Sequence, residues 1–435
     1  MEDRLLASAA AWTVARRAGA RAGAPVVVTA ADADPRPLCS AAAGERLRAL
    51  LDGEHAELVP EWLALAARAG VRPPPELRPE LLDHAARRTS LHAPVGAAAG
   101  PLGRWLADRE PRWAFVRGAG DDVAEVWSAG DRDARRALLE RLREADPAAA
   151  RELLAGTFAD ETWEDREAFV RTLAHGLSDA DEPFLEATLD DSRAPVRAAA
   201  AELLAALPRS RYAARMAARA APLLRVADGR LVATLPGAPD AAAKRDGLEA
   251  RGRRAERLTA LLAATPLATW TGATPGGDAA AAASSADTAP ATAAELVALP
   301  VGDDLGDAVH DGWAAAALKQ CDAAWARALW RRDVALLAVL PRAEAEALAV
   351  AADDPFLASQ ELRGHWGPEL SRAVIAHIRR QREAGQRPYH VGAAGYRLDP
   401  TVEPEAGALR ELGGGDIWTL ADVLQARAAM LRELS

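Results

Sequence analysis

Lysine is almost missing from this chain: Lys244 and Lys319 are the two lysines among 53 basic residues. Neither follows a glycine, which excludes a Walker A loop, where a lysine after a Gly-rich turn meets the phosphates. The arginine and alanine bias fits a GC-rich coding sequence. Cysteine is equally scarce: Cys39 and Cys321 lie far apart, with no metal-ligand or redox spacing. A reduced, cytoplasmic protein is expected on that ground. β-branched and aromatic residues are few. The nearest approaches to a strand are Val26-Val-Val-Thr29 and Leu231-Val-Ala-Thr-Leu235. No run approaches the ~20 apolar residues of a membrane span. At the N-terminus two acids precede a short apolar stretch and Arg16-Arg17 follows it, the reverse of a signal peptide, so export is not expected.

Catalytic signatures are missing too. The chain has no Gly-x-Ser-x-Gly and no His-Glu-x-x-His. Its eight histidines are scattered: His84 and His92 stand eight apart, His175 beside an apolar face, and His377 within a basic helix. No cofactor or metal is expected, although a zinc site assembled only by tertiary structure stays open. A formal net charge of −10 argues against broad binding to nucleic acid or anionic membrane, which needs a positive surface.

What is present is alanine, the strongest helix former, and a repeated helical grammar. In Asp181–Pro208 the periodicity predicts two helices around a tight turn. Val196, Ala199, Ala200, Leu203, Leu204 and Leu207 form one apolar face of the second. Asp131–Ala145 and the segment opened by Asp146-Pro147 read the same way, and Phe169, Val170, Leu173 and Leu177 mark a further helix over 164–177. Asp146 and Asp191 correspond at a shift of 45 residues, and Glu152-Leu-Leu154 and Glu202-Leu-Leu204 at 50. Leu336-Leu-Ala-Val-Leu-Pro341 echoes Leu203-Leu-Ala-Ala-Leu-Pro208 at 133, about three periods of the ~40–47-residue HEAT repeat. The expected fold is all-α: an irregular HEAT-like α-solenoid with minor short strands. Its lobes would be 1–225, with the clearest repeats at 131–208, and 244–435, joined at 226–243. A Gly/Ala/Ser-rich loop at 272–292 is too low in complexity to bury a core.

Four Asp-Asp pairs stand at breaks between predicted helices, including Asp190-Asp191 and Asp353-Asp354. There a carboxylate caps free N–H groups, so Asp146, Asp190, Asp191 and Ser192 are expected as repeat caps rather than metal ligands. Gly413-Gly-Gly415 reads as a hinge. Two Arg-rich segments, 244–257 and 377–387, run against the acidic whole; each fits a solvated helix face or contact with phosphate or an acidic partner. The 12 tryptophans are expected mainly in helix seams, any exposed one being an interaction anchor.

Several blocks taken together carry a family resemblance: Leu102-Gly-Arg-Trp-Leu106, Trp113, Asp146-Pro147, Asp181-Glu-Pro-Phe-Leu-Glu186, Arg245-Asp-Gly247, Arg254-Ala255, Thr265-Pro-Leu267, Trp270, Gly312-Trp313 and Trp325. The chain resembles an actinobacterial family of unknown function with HEAT-like repeats. The resemblance implies genes near those of MoxR-type AAA ATPases, von Willebrand A-domain proteins and SWIM zinc-finger proteins. It therefore implies a non-enzymatic adaptor for a protein partner. Arg245, Asp246, Gly247 and Arg254 are the expected interaction site, the alternative being that Arg245 and Asp246 only cap and pair at a helix start. Two other functions stay open: nucleic-acid binding or base repair through the Arg-rich segments, and a metal-dependent hydrolase of dispersed acids and histidines.

Overall fold

The computed structural model describes Trp12 and residues 30–117, 123–248, 253–272, 292–302, 304–386 and 391–435. The stretch before residue 30 (Trp12 apart), with the Val26–Thr29 run, and residues 273–291 lie outside them. Helix accounts for 71% and strand for 3%, which makes the chain mostly helical. Contacts divide it into two units, Met1–Ala119 with Met430–Ser435, and Gly120–Ala429.

In the first unit, helices α1 (Ala41–Leu51), α2 (Val59–Arg68), α3 (Arg78–Ala86) and α4 (His92–Ala107) enclose Leu47, Trp62, Leu81 and Val95. Ser40 caps α1 as its position predicts, accepting the Ala43 N–H at 3.1 Å. Proline at the second position of α2 and of α3 fits because its missing N–H would be unpaired there. At Gly100-Pro101 α4 kinks; Gly100 has φ 57°, and a Cβ there would meet the Arg36 guanidinium at 2.5 Å. The buried Arg78 donates to the Ala99 carbonyl at 3.0 Å. Glu433 closes the unit, accepting from Arg46 at 3.0 Å through its carboxylate and from the Ser40 hydroxyl at 2.9 Å through its carbonyl.

The second unit begins with α5 (Val123–Ala129), α6 (Arg132–Ala145), α7 (Pro147–Thr157), α8 (Trp163–Thr172), α9 (Glu182–Thr188), α10 (Ala194–Ala205) and α11 (Arg211–Ala220). A hairpin of β1 (Leu224–Ala227) and β2 (Arg230–Ala233) follows, antiparallel with Leu224 opposite Ala233. It turns on Asp228-Gly229, whose φ values of 50° and 67° suit a tight primed turn. Then come α12 (Ala241–Arg245), α13 (Arg254–Ala263), α14 (Ala268–Thr271), α15 (Ala293–Ala298), α16 (Gly306–Gln320) and α17 (Ala323–Leu329). The last helices are α18 (Arg342–Val350), α19 (Pro355–Gln360), α20 (Pro368–Glu383), α21 (Glu403–Ala408) and α22 (Gly415–Glu433).

Packing is mainly between neighbours in the chain. Helix α6 packs on α7 and α8, α8 and α9 on α10, α10 on α11, α11 on α13, α13 on α16, and α16 on α17. The apolar face expected of α10 is buried at every position. The family-matching residues at 312–325 explain themselves by packing: a Cβ on Gly312 would meet the Leu262 Cβ at 2.6 Å, so glycine lets α13 and α16 approach. Beside it Trp313 and Trp325 are buried with ring centroids 4.8 Å apart.

Two expectations differ from the structure. The joint expected at 226–243 lies within one core, since Leu231 and Ala233 join the same apolar cluster as Leu204 and Leu262. The echo at 336–341 is one of composition: Leu203-Leu204 end an α-helix, whereas Val334–Val339 is a 3₁₀ turn. Asp333 opens that turn, and Leu340 must extend before Pro341, which leaves no room for an α-helix.

Candidate functional site

Arg245-Asp246-Gly247 ends a helix rather than starting one. Asp240 caps α12 by accepting the Ala243 N–H at 2.7 Å, and Asp246 follows its last residue. Gly247 then reverses the chain at φ 82°, where a Cβ would stand 3.0 Å from the Ala201 Cβ. The reversal turns the Asp246 carboxylate inward, to 1% exposure. There it meets Arg215 and Arg219, one turn apart on α11. Arg215 donates through Nε at 3.0 Å and Nη2 at 2.8 Å, and Arg219 through Nη1 at 2.6 Å.

The hub extends to the preceding layer. Arg215 Nη2 also donates to Glu186 at 3.0 Å. Arg245 donates to Asp190 through Nε at 2.6 Å and to the Glu186 carbonyl at 3.1 Å. Three arginines thus face three carboxylates and tie α9, α11 and α12 together. Burial alone would raise the Asp246 carboxyl, but hydrogen bonds from Arg215 and Arg219 outweigh it and hold the group below the usual range. The hydrogen bond to Asp190 raises Arg245 further above the ordinary arginine value. Burial, then the Asp246 charge, raises Tyr212, whose hydroxyl donates to the Asp246 carbonyl at 3.2 Å. Asp246 is thus held ionised, Arg245 protonated and Tyr212 neutral at neutral pH, and the hub acts as an electrostatic clamp.

Of the four expected interaction residues, the structure brings Arg245, Asp246 and Gly247 together and separates Arg254. Arg254 opens α13 and donates to the Leu235 and Pro236 carbonyls at 3.4 Å. Among the expected caps, Asp146 accepts the Ala148 and Ala149 N–H groups at 3.1 and 3.0 Å. Asp190 and Asp191 do not cap α10. Asp190 faces Arg245, while Asp191 accepts from Arg166 at 2.8 Å and from the Arg193 N–H at 2.8 Å; Ser192 is exposed in the bend. Both carboxylates instead meet arginines that the fold brings beside them, pairing two full charges where a cap pairs one with a backbone dipole. Asp354 does cap, accepting the Leu357 N–H at 2.9 Å. His175 is exposed, and His377 lies 3.3 Å from Asp354. Among the described residues, no three His, Cys, Asp or Glu side chains are grouped to hold a metal.

A cavity of about 410 Å³ adjoins the hub, with Arg219, Ala243 and Gly247 in its lining. The loop Pro236-Gly-Ala-Pro-Asp240 forms one wall and α13 another, with Ala260 and Leu261 among its apolar residues and Glu256 and Arg257 among its charged ones.

The fold and site define a mostly helical protein with an arginine–carboxylate clamp beside an apolar cavity. The model of a family of unknown function, DUF5691, matches residues 1–434, and the chain belongs to that family. No curated protein and no solved structure matches it. No helix among the described residues is long and apolar enough to cross a membrane.

Proposed function

We propose that this chain is a non-enzymatic scaffold or adaptor, an irregular HEAT-like α-solenoid that holds a protein partner. One observation carries the reading: arginine-to-carboxylate links recur from layer to layer. Arg135 reaches Glu161, 26 residues on; Arg166 reaches Asp191, 25 on; Arg143 reaches Asp181, 38 on; Arg215 reaches Asp246, 31 on. In a stacked array each unit leans only on its neighbours, and such links add to the interface between them. The four separations run from 25 to 38 residues, shorter than the shifts of 45 and 50 between the sequence matches. The family resemblance adds the partner class, a MoxR-type AAA ATPase or a von Willebrand A-domain protein of an actinobacterial cytoplasm.

The nucleic-acid alternative gains little from the same geometry, since Arg245, Arg254 and Arg382 are engaged by internal acceptors. Purification of the tagged chain from its native host at native abundance tests the proposal. The expected result is one protein recovered in a fixed ratio; a chain that elutes alone overturns it.

A further inference from the structure

We infer that the outer edge of β1 is the docking site for an extended, acidic segment of that partner, which joins the hairpin as a further strand. The inference rests on the scaffold reading and adds the place and chemistry of contact. The register decides which backbone groups are left over. Leu231 stands opposite Val226 and turns its own polar groups away from β1: its N–H donates to the Pro300 carbonyl at 2.9 Å, and its carbonyl accepts the Gly302 N–H at 3.0 Å. Val226 and Leu231 therefore exchange no hydrogen bonds, and the Val226 N–H and C=O point to the opposite edge of the hairpin. Among the described residues nothing pairs with Val226 on that side. The β2 edge already takes an extended segment, with Val301 lying parallel to Leu231, whereas β1 has β2 as its one strand neighbour among the described residues. Unpaired backbone groups in a row along an edge are matched by one kind of ligand, another extended chain.

The side chains of the hairpin select the strand. Val226 shares its face with Leu224, Leu231 and Ala233, which are buried, yet it is 54% exposed, so the apolar face continues past β1 uncovered. Arg225 and Arg230 stand diagonally on the other face and are exposed. Neither guanidinium has an ion-pair or hydrogen-bond partner among the described residues, unlike the arginines of the hub. Asp228, the one acid of the hairpin, is in the turn. A strand alternating Val or Ile with Asp or Glu suits both faces at once. Its backbone pairs with Val226, its apolar side chains continue the Val226 row, and its acids reach Arg225. A second copy of this chain fits worse, because pairing β1 with β1 sets Arg225 against its own counterpart on one face.

Panning random phage-displayed peptides on the full-length chain tests this, followed by anisotropy titration of the enriched peptide. The expected consensus alternates Val, Ile or Thr with Asp or Glu. Bound peptide should slow hydrogen exchange at the Val226 amide by ~10-fold or more and leave the Leu231 amide, already bonded to Pro300, unchanged. Val226→Pro deletes an N–H that the hairpin does not use and should weaken the peptide by ~10-fold or more. Arg225→Glu combined with Arg230→Glu should weaken it by about 5-fold with melting temperature unchanged, and added salt should weaken it as well. Should V226P melt early, the arginine variant and the exchange readout decide. No enrichment, a consensus without acids, or a Val226 amide that exchanges equally fast with peptide bound would overturn the inference. So would a dimer in sedimentation that V226P makes monomeric, because the occupant would then be a second copy. If a co-purifying partner is retained equally by the native chain, V226P and the arginine variant, the edge fails and the scaffold stands. A chain that recovers no partner yet binds such peptides at Val226 loses the scaffold and keeps the edge.

Discussion

Two buried aspartates, built alike, do different work. Asp181 is 0% exposed and takes both Nη groups of Arg143 at 2.9 Å, with Arg151 at 2.8 Å. Arg143 is itself sealed, donating in addition to the carbonyls of Pro147, Leu173, His175 and Gly176. Asp246 is as deeply buried, but its arginines are not: Arg215 is 33% and Arg219 25% exposed, and Arg219 borders a cavity. Sealing both partners makes a staple between helical layers. Leaving the cations a quarter to a third exposed makes a clamp that can shape a surface next to it.

The comparison has measurable consequences. Asp181→Ala should be the most damaging change, leaving Arg143 buried and unpaired at a cost of about 3–5 kcal/mol, read from denaturant unfolding followed by circular dichroism. Asp246→Ala should cost about 1.5–3 kcal/mol, because Arg215 keeps Glu186 and both arginines can reach water. An equal loss at the two sites would erase the distinction. Gly247→Ala should cost about 1–2 kcal/mol, since the left-handed backbone and the nearby Ala201 both oppose a Cβ. Asp146→Ala, a simple cap, should cost about 1 kcal/mol and leave both hubs intact.

Acid should act on both hubs together. For Asp181, as for Asp246, burial raises the carboxyl and its arginine partners more than reverse that, leaving it below the usual value. A carboxyl depressed in the folded state contributes stability above its unfolded pKa of about 3.9 and loses it as pH falls through the folded value. Melting temperature should therefore hold between about pH 7 and 5 and fall below about pH 4. In Asp181→Asn that acid fall should be shallower; an unchanged profile would mean the pair contributes little.

Much of the helical frame was legible in residues. Asp131 and Asp146-Pro147 bracket α6 and open α7, and the apolar stripe of α10 needed only the helical period to read. The hairpin is half legible: the β2 run stands out and Asp228-Gly229 is a strong turn signal, but β1 alternates too weakly to mark a strand. The hubs were harder. Asp190 and Asp191 look like caps locally, and only the fold brings in Arg245 and Arg166 from 55 and 25 residues away. The missed partners of Asp246 carried a faint sign, Arg215 and Arg219 at helical spacing on an alanine-rich face. The cavity had none, being a product of how α12, α13 and the 236–240 loop converge.

The scarcity of lysine supplies the most direct test of the whole account. Lys244 is exposed on α12 beside the hub and cavity, while Lys319 is partly buried and burial lowers it below the ordinary lysine value. An amine-reactive crosslinker added to the chain at native abundance therefore reports chiefly on Lys244, apart from the N-terminal amine. The account predicts a single partner protein joined through Lys244. Recovery of the chain with nothing attached at Lys244 would contradict it.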